Sequence, residues 1–123
     1  MSTHYMHPQY TAKAIAKKIK ISHKKLTWVA NLIKGMSVSD ALTQLQFCRK
    51  RVAINEVYKC LQSAIANAEN NKGLDIDNLF VRESTVGQSM RLKRISFRAR
   101  GRANTIQKRY SDLRILLEER QEV

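Results

Sequence analysis

A stretch that contains basic residues and no acid constrains this chain more than any other feature. Residues 84–111 include neither Asp nor Glu. Over 94–103, basic or polar side chains alternate with apolar or small ones, and a period of two places the two sets on opposite sides of a β-strand. The alternation therefore predicts a strand whose arginines share one side. The cations of the stretch are Arg91, Lys93, Arg94, Arg98, Arg100, Arg102, Lys108 and Arg109.

The same region is bounded by two apolar segments that favour β-structure, 79–81 and 113–117. Gly101 lies among arginines between them and suits a turn. We therefore predict two strands joined by a long hairpin over about 79–118. A strand of about 15 residues spans roughly 50 Å, and an isolated two-stranded ribbon is only marginally stable in water. The distal part of the hairpin should thus be ordered by whatever surrounds it.

The whole chain carries a large excess of positive charge. Its 23 Lys and Arg against 10 Asp and Glu give a formal net charge of +13, which argues for a polyanionic partner, most often nucleic acid. A guanidinium group can bind two phosphate oxygens at once and can also stack on a base. A run of arginines without neighbouring acids therefore predicts a phosphate-binding surface. The alternative interpretation is a solvated charged face. It is less well supported, because solvated faces normally carry charges of both signs.

A second basic block precedes the first acid, Asp40. Phosphate contact is the favoured interpretation, and the alternatives are a solvated face, a cationic segment that meets a membrane, or an organelle-targeting peptide. Since a near-neutral middle separates the two blocks, the polyanion is predicted to meet two surfaces. The candidate lysines are Lys13, Lys17, Lys18, Lys20, Lys24 and Lys25.

Three helices are predicted between the basic blocks. Apolar residues recur at helical spacing over 26–33, 38–45 and 54–68. Residues 11–21 fit either a helix or a strand, and we favour a strand. The expected caps and stops are Ser22 and Gly35, Ser37 with Asp40 as a capping box, and Gly73 after Asn70 and Asn71.

Several functional classes lack support in the sequence. No apolar run approaches the roughly 18 residues of a membrane helix, and the N-terminus has no signal-peptide layout. Cys48 and Cys60 form no CxxC pair, so we expect core or surface thiols in a reducing compartment rather than a zinc site or a disulfide. His4 and His7 have no further ligands nearby, and no catalytic motif occurs. We predict no enzymatic activity, metal, cofactor or small-molecule substrate.

Two other hypotheses follow from single features. A DNA-binding regulator would use the two helices that meet at Gly35 as a helix-turn-helix, but 40–46 carries an acid and no Lys or Arg. A cationic protein of the membrane surface would gain helix on anionic vesicles, and the arginine stretch gives this little support. Trp28 falls off the apolar stripe of its helix, which favours a half-buried aromatic at the edge of the core over stacking on a base.

Several segments, taken in order, resemble the universal large-subunit ribosomal protein L-twenty-two family of the bacterial or organellar type. The segment SAIANAENN (63–71) is similar to the end of that family's third helix, and KRISFRARGRA (93–103) is similar to its hairpin tip. The resemblance runs from about residue 11 to residue 118. Further matching segments are AKA (12–14), KIS (20–22), Lys25, Val29, LIKG (32–35) and IQKR (106–109).

The resemblance implies an α+β fold: a small body of three helices and a short antiparallel sheet, with a long protruding β-hairpin. It implies a flexible tail over 1–10 and one domain over 11–123. It also implies a structural protein that binds large-subunit ribosomal RNA, supports its assembly and lines the nascent-peptide exit tunnel. Its other partners would be neighbouring ribosomal proteins and the nascent peptide, with no membrane. The implied tunnel-lining tip is Arg98, Ala99, Arg100, Gly101, Arg102 and Ala103.

The implied location is the ribosome of a bacterial cytoplasm, or alternatively a mitochondrial or plastid ribosome. Three features depart from the family pattern. Phe97 stands where a proline is common, and Asp112 replaces a common histidine. The segment 90–94, on the strand that leads to the tip, is two residues longer than in the shortest bacterial versions.

Overall fold

The computed structural model describes residues 10–49 and 51–120, so the predicted tail with His4 and His7 lies outside the described residues apart from Tyr10. The sheet is antiparallel with strand order β1-β3-β2. Three helices and this sheet give the predicted α+β fold. The elements in chain order are β1 (Thr11–Ile19), α1 (His23–Ile33), α2 (Val38–Phe47), α3 (Arg51–Lys72), β2 (Leu79–Phe97) and β3 (Ala103–Glu119).

Residues 11–19 form a strand, as favoured, because a buried stripe alternates along them. Ala12 and Ala14 face the core, whereas Lys13 and Ile15 are exposed. Helix α3 lies over this strand: the Cys60 thiol donates to the carbonyl oxygen of Ala14 at 3.6 Å. Small side chains on β1 suit such a close approach of a helix.

The predicted caps are confirmed in part. Ser37 Oγ accepts a hydrogen bond from the Asp40 N–H at 3.4 Å, whereas Ser22 occupies the N-cap position of α1 without a side-chain bond. Gly35 follows α1 with φ of +83°, a conformation in which a side chain would be strained. Gly73 ends α3 in the same way, at φ +62°.

The core lies between the helices and one face of the sheet. The predicted stripe of α1 is fully buried, as are Leu113, Ile115 and Leu117 of β3. Because β3 is the central strand, its apolar residues pack beneath the helices with a neighbour on either side. The central position of β3 therefore explains why its run of aliphatic residues is the most deeply buried part of the sheet.

The hairpin protrudes beyond the three-stranded part of the sheet. Strand β1 accompanies β3 only as far as the pair Ile19–Ser111, and from there β2 and β3 continue alone to the pair Phe97–Ala103. At about 3.3 Å per residue this two-stranded part is about 30 Å long. Every residue from 91 to 109 is exposed except Leu92 and Ser96, which are half-buried. The predicted long hairpin is thereby confirmed.

The tip differs from the predicted strand alternation. The turn expected at Gly101 is present, but β2 already ends at Phe97 and residues 99–101 form a single 3-10 turn. Arg100 and Gly101 have φ values of +62° and +72°, and the Arg98 N–H donates to the carbonyl oxygen of Arg102 at 2.6 Å. Two successive left-handed residues reverse the chain, so the prediction that Arg98, Arg100 and Arg102 share one side of a strand is wrong.

Candidate nucleic-acid interface

All fourteen cations predicted to contact phosphate are exposed. Lys13, Lys17 and Lys18 lie on β1, Lys20 follows it, and Lys24 and Lys25 occupy the first turn of α1. None of the fourteen forms an ion pair with another residue between 10 and 120 that the structure describes. Arg82 is different, because its guanidinium lies 2.8 Å from Glu118 Oε2. The fourteen charges therefore face solvent without an anion from residues 10–49 or 51–120 to neutralise them.

The protruding hairpin is basic on both of its faces. Directly paired residues of antiparallel strands share a face. Arg91 pairs with Arg109 and Lys93 with Gln107, and this first face also carries Ile95 and Phe97. The second face, defined by the pairs Leu92–Lys108 and Arg94–Ile106, carries Arg94 and Lys108.

The predicted alternation therefore holds on β2 from Arg94 to Phe97, but the cations of the hairpin outside 94–103 lie on both faces. The physical reason lies in two pairs of sequence neighbours. Lys93 and Arg94 are adjacent on β2, as Lys108 and Arg109 are on β3, and adjacent residues of a strand point to opposite faces. A polyanion could consequently approach this hairpin from both sides.

The two basic blocks meet at the base of the hairpin rather than forming separate surfaces. Ser111 Oγ donates to the carbonyl oxygen of Ile21 at 2.6 Å. Gln88 Nε2 lies 3.3 Å from His23 Nδ1, and Gln88 Oε1 accepts a hydrogen bond from Arg91. These contacts tie the segment between β1 and α1, which carries Lys20, to the point where the arginines begin. The lysine block and the base of the hairpin are thus held as neighbours.

A bulge in β1 shapes the lysine block. The register of β1 against β3 shifts between Ala16 and Ile19, and Lys18 within the shift has φ of +57°. The Lys18 N–H donates to Asp112 Oδ1 at 3.0 Å. A left-handed lysine costs of the order of 1 kcal/mol, and this hydrogen bond from the next strand offsets part of that cost.

A groove beside β1 brings the predicted Lys13 together with two cations that the sequence prediction missed, Lys72 and Arg114. It has a volume of about 500 Å³ and lies between the outer side of β1 and the end of α3. Two of its lining residues are bonded to each other: Asn67 Nδ2 donates a hydrogen bond to the carbonyl oxygen of Lys13 at 3.0 Å. Arg114 alternates with buried Leu113 and Ile115, which is the signal that could have identified it. The polar residues that line the groove are Thr11, Lys13, Asn67, Asn71, Lys72 and Arg114.

Other kinds of site find little support in residues 10–49 and 51–120. Those residues contain no group of three or more His, Cys, Asp and Glu that could hold a metal ion. Burial raises the pKa of the Cys60 thiol to about 11, so this thiol stays protonated at neutral pH. The helices described here include none long and apolar enough to cross a membrane. Trp28 is 52% exposed on α1, so about half of its side chain lies outside the core.

The chain was compared with known proteins. The family described as "Ribosomal protein L22p/L17e" matches residues 14–118. The chain belongs to the ribosomal protein L22p/L17e family. Three relatives are each named large ribosomal subunit protein uL22. That of Methylobacterium sp. (strain 4-46) is 52% identical over 91% of this chain and 87% of its own length. That of Orientia tsutsugamushi (strain Boryong) is 54% identical over 89% and 93%. That of Rickettsia prowazekii (strain Madrid E) is 53% identical over 90% and 92%.

Asp112 and Phe97, which are expected from the sequence to depart from the family pattern, have clear positions in the structure. Asp112 is the residue that accepts from Lys18 across the strands, so it stabilises the bulge. Phe97 is the last residue of β2, and its extended backbone pairs with Ala103 just before the turn.

Substitutions at the bulge should separate backbone strain from side-chain charge. We expect Lys18→Gly to raise the free energy of unfolding by up to about 1 kcal/mol, because glycine adopts positive φ without a steric cost. Asp112→Ala should lower it by about 1–2 kcal/mol through loss of the hydrogen bond. Urea denaturation followed by circular dichroism measures both. Lys17→Gly is the matched control and should destabilise, since Lys17 is not left-handed. Equal shifts for the two glycine variants would contradict the bulge geometry.

Proposed function

We propose that this chain is a structural constituent of the large ribosomal subunit that binds large-subunit ribosomal RNA and supports its assembly. Membership of the L22p/L17e family supports this, as do the bacterial relatives named large ribosomal subunit proteins. The observation that carries the RNA-binding part is the hairpin, which presents cations on both faces and no acid between Glu83 and Asp112. The proposed location is the ribosome of a bacterial cytoplasm.

The proposed mechanism is neutralisation of phosphates where RNA segments approach each other. Each phosphate neutralised by a Lys or Arg releases condensed counterions, which makes binding favourable and dependent on salt. A ribbon of two strands with few buried side chains gains little from folding alone, so its order depends on contacts at both faces. RNA packed against the first and second faces would supply those contacts, while the buried core keeps the base of the hairpin in place.

The groove beside β1 extends the proposed RNA surface onto the body. Lys13 and Arg114 are exposed there, and Asn67 and Asn71 add amide groups that can bond phosphate or ribose oxygens. Such contacts fix the position of a protein on RNA without reading base sequence. The body would thus be positioned by the groove and the lysine block, and the hairpin would extend from it.

The proposal for the tip is that residues 98–103 line the nascent-peptide exit tunnel. A tight turn with small side chains at Ala99, Gly101 and Ala103 offers a narrow end that fits between RNA segments. Here the nascent peptide and neighbouring ribosomal proteins would be the further partners. In this role the chain positions RNA, and no catalytic step is assigned to it.

Ultraviolet crosslinking in cells, followed by sequencing of the attached RNA, tests the proposal. We expect adducts concentrated in large-subunit ribosomal RNA, with hairpin peptides crosslinked at nucleotides of the tunnel wall. Hairpin crosslinks elsewhere in the large subunit would overturn the placement of the tip alone. Adducts scattered over messenger RNA would overturn the ribosomal role. Recovery mainly of DNA would overturn it as well and would favour the DNA-binding alternative.

A further inference from the structure

The first face of the hairpin ends in an exposed apolar patch formed by Ile95 and Phe97. Ile95 is 71% exposed and Phe97 is 85% exposed, the highest value among the large apolar side chains of the described residues. Their cross-strand partners are Thr105 and Ala103, whose short side chains leave the ring of Phe97 uncovered. An aromatic ring left in water at the end of a ribbon adds little to the stability of the fold and is accessible to a partner.

The surroundings of the patch decide which partner fits. Lys93 shares its face, and Arg98, Arg100 and Arg102 follow within the turn. A protein core would have to accept these charges without anions, and an anionic membrane surface supplies phosphates but no flat face on which the ring can stack. Single-stranded RNA fits both the cations and the exposed ring. Its phosphates neutralise the cations, and every base has a flat face on which an aromatic ring can stack.

Strand pairing sets the backbone conformation at this position. Phe97 is held in the ladder by its pair with Ala103, and the next rung is closed by the Arg98 N–H bonded to the carbonyl oxygen of Arg102 at 2.6 Å. Once RNA contacts order the ribbon, only the side-chain torsions of Phe97 remain to be fixed, so little further conformational entropy is lost when the ring stacks. The entropic cost of stacking an aromatic ring at this position is therefore low.

We propose that Phe97, with Ile95 beside it, is a stacking platform for an unpaired nucleobase of RNA. This inference rests on the proposed RNA-binding function and adds a base contact to what is otherwise phosphate binding. The contact would hold the last rung of the hairpin against RNA immediately before the turn. Its recognition is of a base plane rather than of a particular base, since no hydrogen-bonding group of Phe97 reads a base edge.

Binding of the full-length chain to a bacterial large-subunit ribosomal RNA transcript tests the platform. We expect Phe97→Leu to weaken binding roughly tenfold and Phe97→Tyr to bind as the wild type does, because stacking needs a ring rather than apolar volume. The slope of log affinity against log salt should be unchanged in both variants, since no phosphate contact is lost. Phe47→Leu is the matched control, because Phe47 is 80% exposed but lies at the end of α2.

The outcomes distinguish this inference from the function on which it rests. A wild-type chain without preference for ribosomal RNA would overturn the proposed function. A wild-type chain that binds, with Phe97→Leu unchanged or with Phe47→Leu equally impaired, would overturn only the platform. A photoreactive benzoylphenylalanine at position 97 in translating ribosomes gives a second readout. Adducts with ribosomal RNA are expected, and adducts with the nascent peptide, or none, would exclude the platform.

Discussion

Neutral substitution of the hairpin cations is expected to weaken binding to large-subunit ribosomal RNA roughly 1,000-fold near 0.1 M salt. The change is glutamine at Arg91, Lys93 and Arg109 of the first face together with Arg94 and Lys108 of the second. Each lost phosphate contact lowers the slope of log affinity against log salt by about 0.7–0.9. The helical body should remain folded, because all five side chains are exposed and make no ion pair with the described residues.

The two faces can be tested separately. Salt-dependent binding of the first-face variant should show a slope lower by about 2–3, and that of the second-face variant a slope lower by about 1.5. Lys34→Gln with Lys59→Gln is the control pair, since both lysines are exposed outside the hairpin, after α1 and on α3. A full effect from one face and none from the other would mean that RNA covers the hairpin on one side only.

Leu113→Ala should produce the largest loss of stability among the single substitutions considered for this chain. Leu113 is fully buried on the central strand and pairs with Ala16 on one side and Val86 on the other. Truncation of such a leucine leaves a cavity and costs about 3–5 kcal/mol, a large part of the roughly 5–15 kcal/mol by which domains are stable. Urea denaturation monitored by far-ultraviolet circular dichroism measures the change.

Ile106→Ala on the same strand is the control for that experiment. Ile106 is 43% exposed on the second face of the hairpin, beyond the last contact with β1. Its truncation should cost less than about 1 kcal/mol, because little apolar surface is buried around it. Comparable losses at the two positions would contradict a core confined to the base of β3.

Sequence reasoning identified the elements of this fold because their signals are local. The stripe of α1 and the apolar ends of the hairpin strands are read within a few residues, and Gly35 and Gly73 mark helix ends through their own backbone freedom. The exposure of the fourteen cations could likewise be predicted from local signals. Even the placement of Lys93 and Arg94 on opposite faces of the hairpin could be predicted, because the two residues are adjacent on one strand.

What remained hidden depends on contacts between distant parts of the chain. The bond from Lys18 to Asp112 joins residues 94 positions apart. The groove assembles residues from β1, α3 and β3, so the inclusion of Arg114 follows from strand pairing rather than from any local pattern. The meeting of the two basic blocks likewise requires Ser111 to reach Ile21. Periodicity assigns a residue to a face but does not say which other faces lie next to it.

The strand order has a consequence for how the chain acquires its structure during synthesis. The first strand to leave the ribosome, β1, pairs only with the last, β3, through contacts such as Thr11 with Glu118. Helices can form from local contacts as they emerge, whereas closure of this sheet must wait until nearly the whole chain is available. Until then β1 and β2 lack the strand that joins them. Strand β3, the last of the three strands in chain order, is therefore the one that completes the sheet and holds the base of the hairpin.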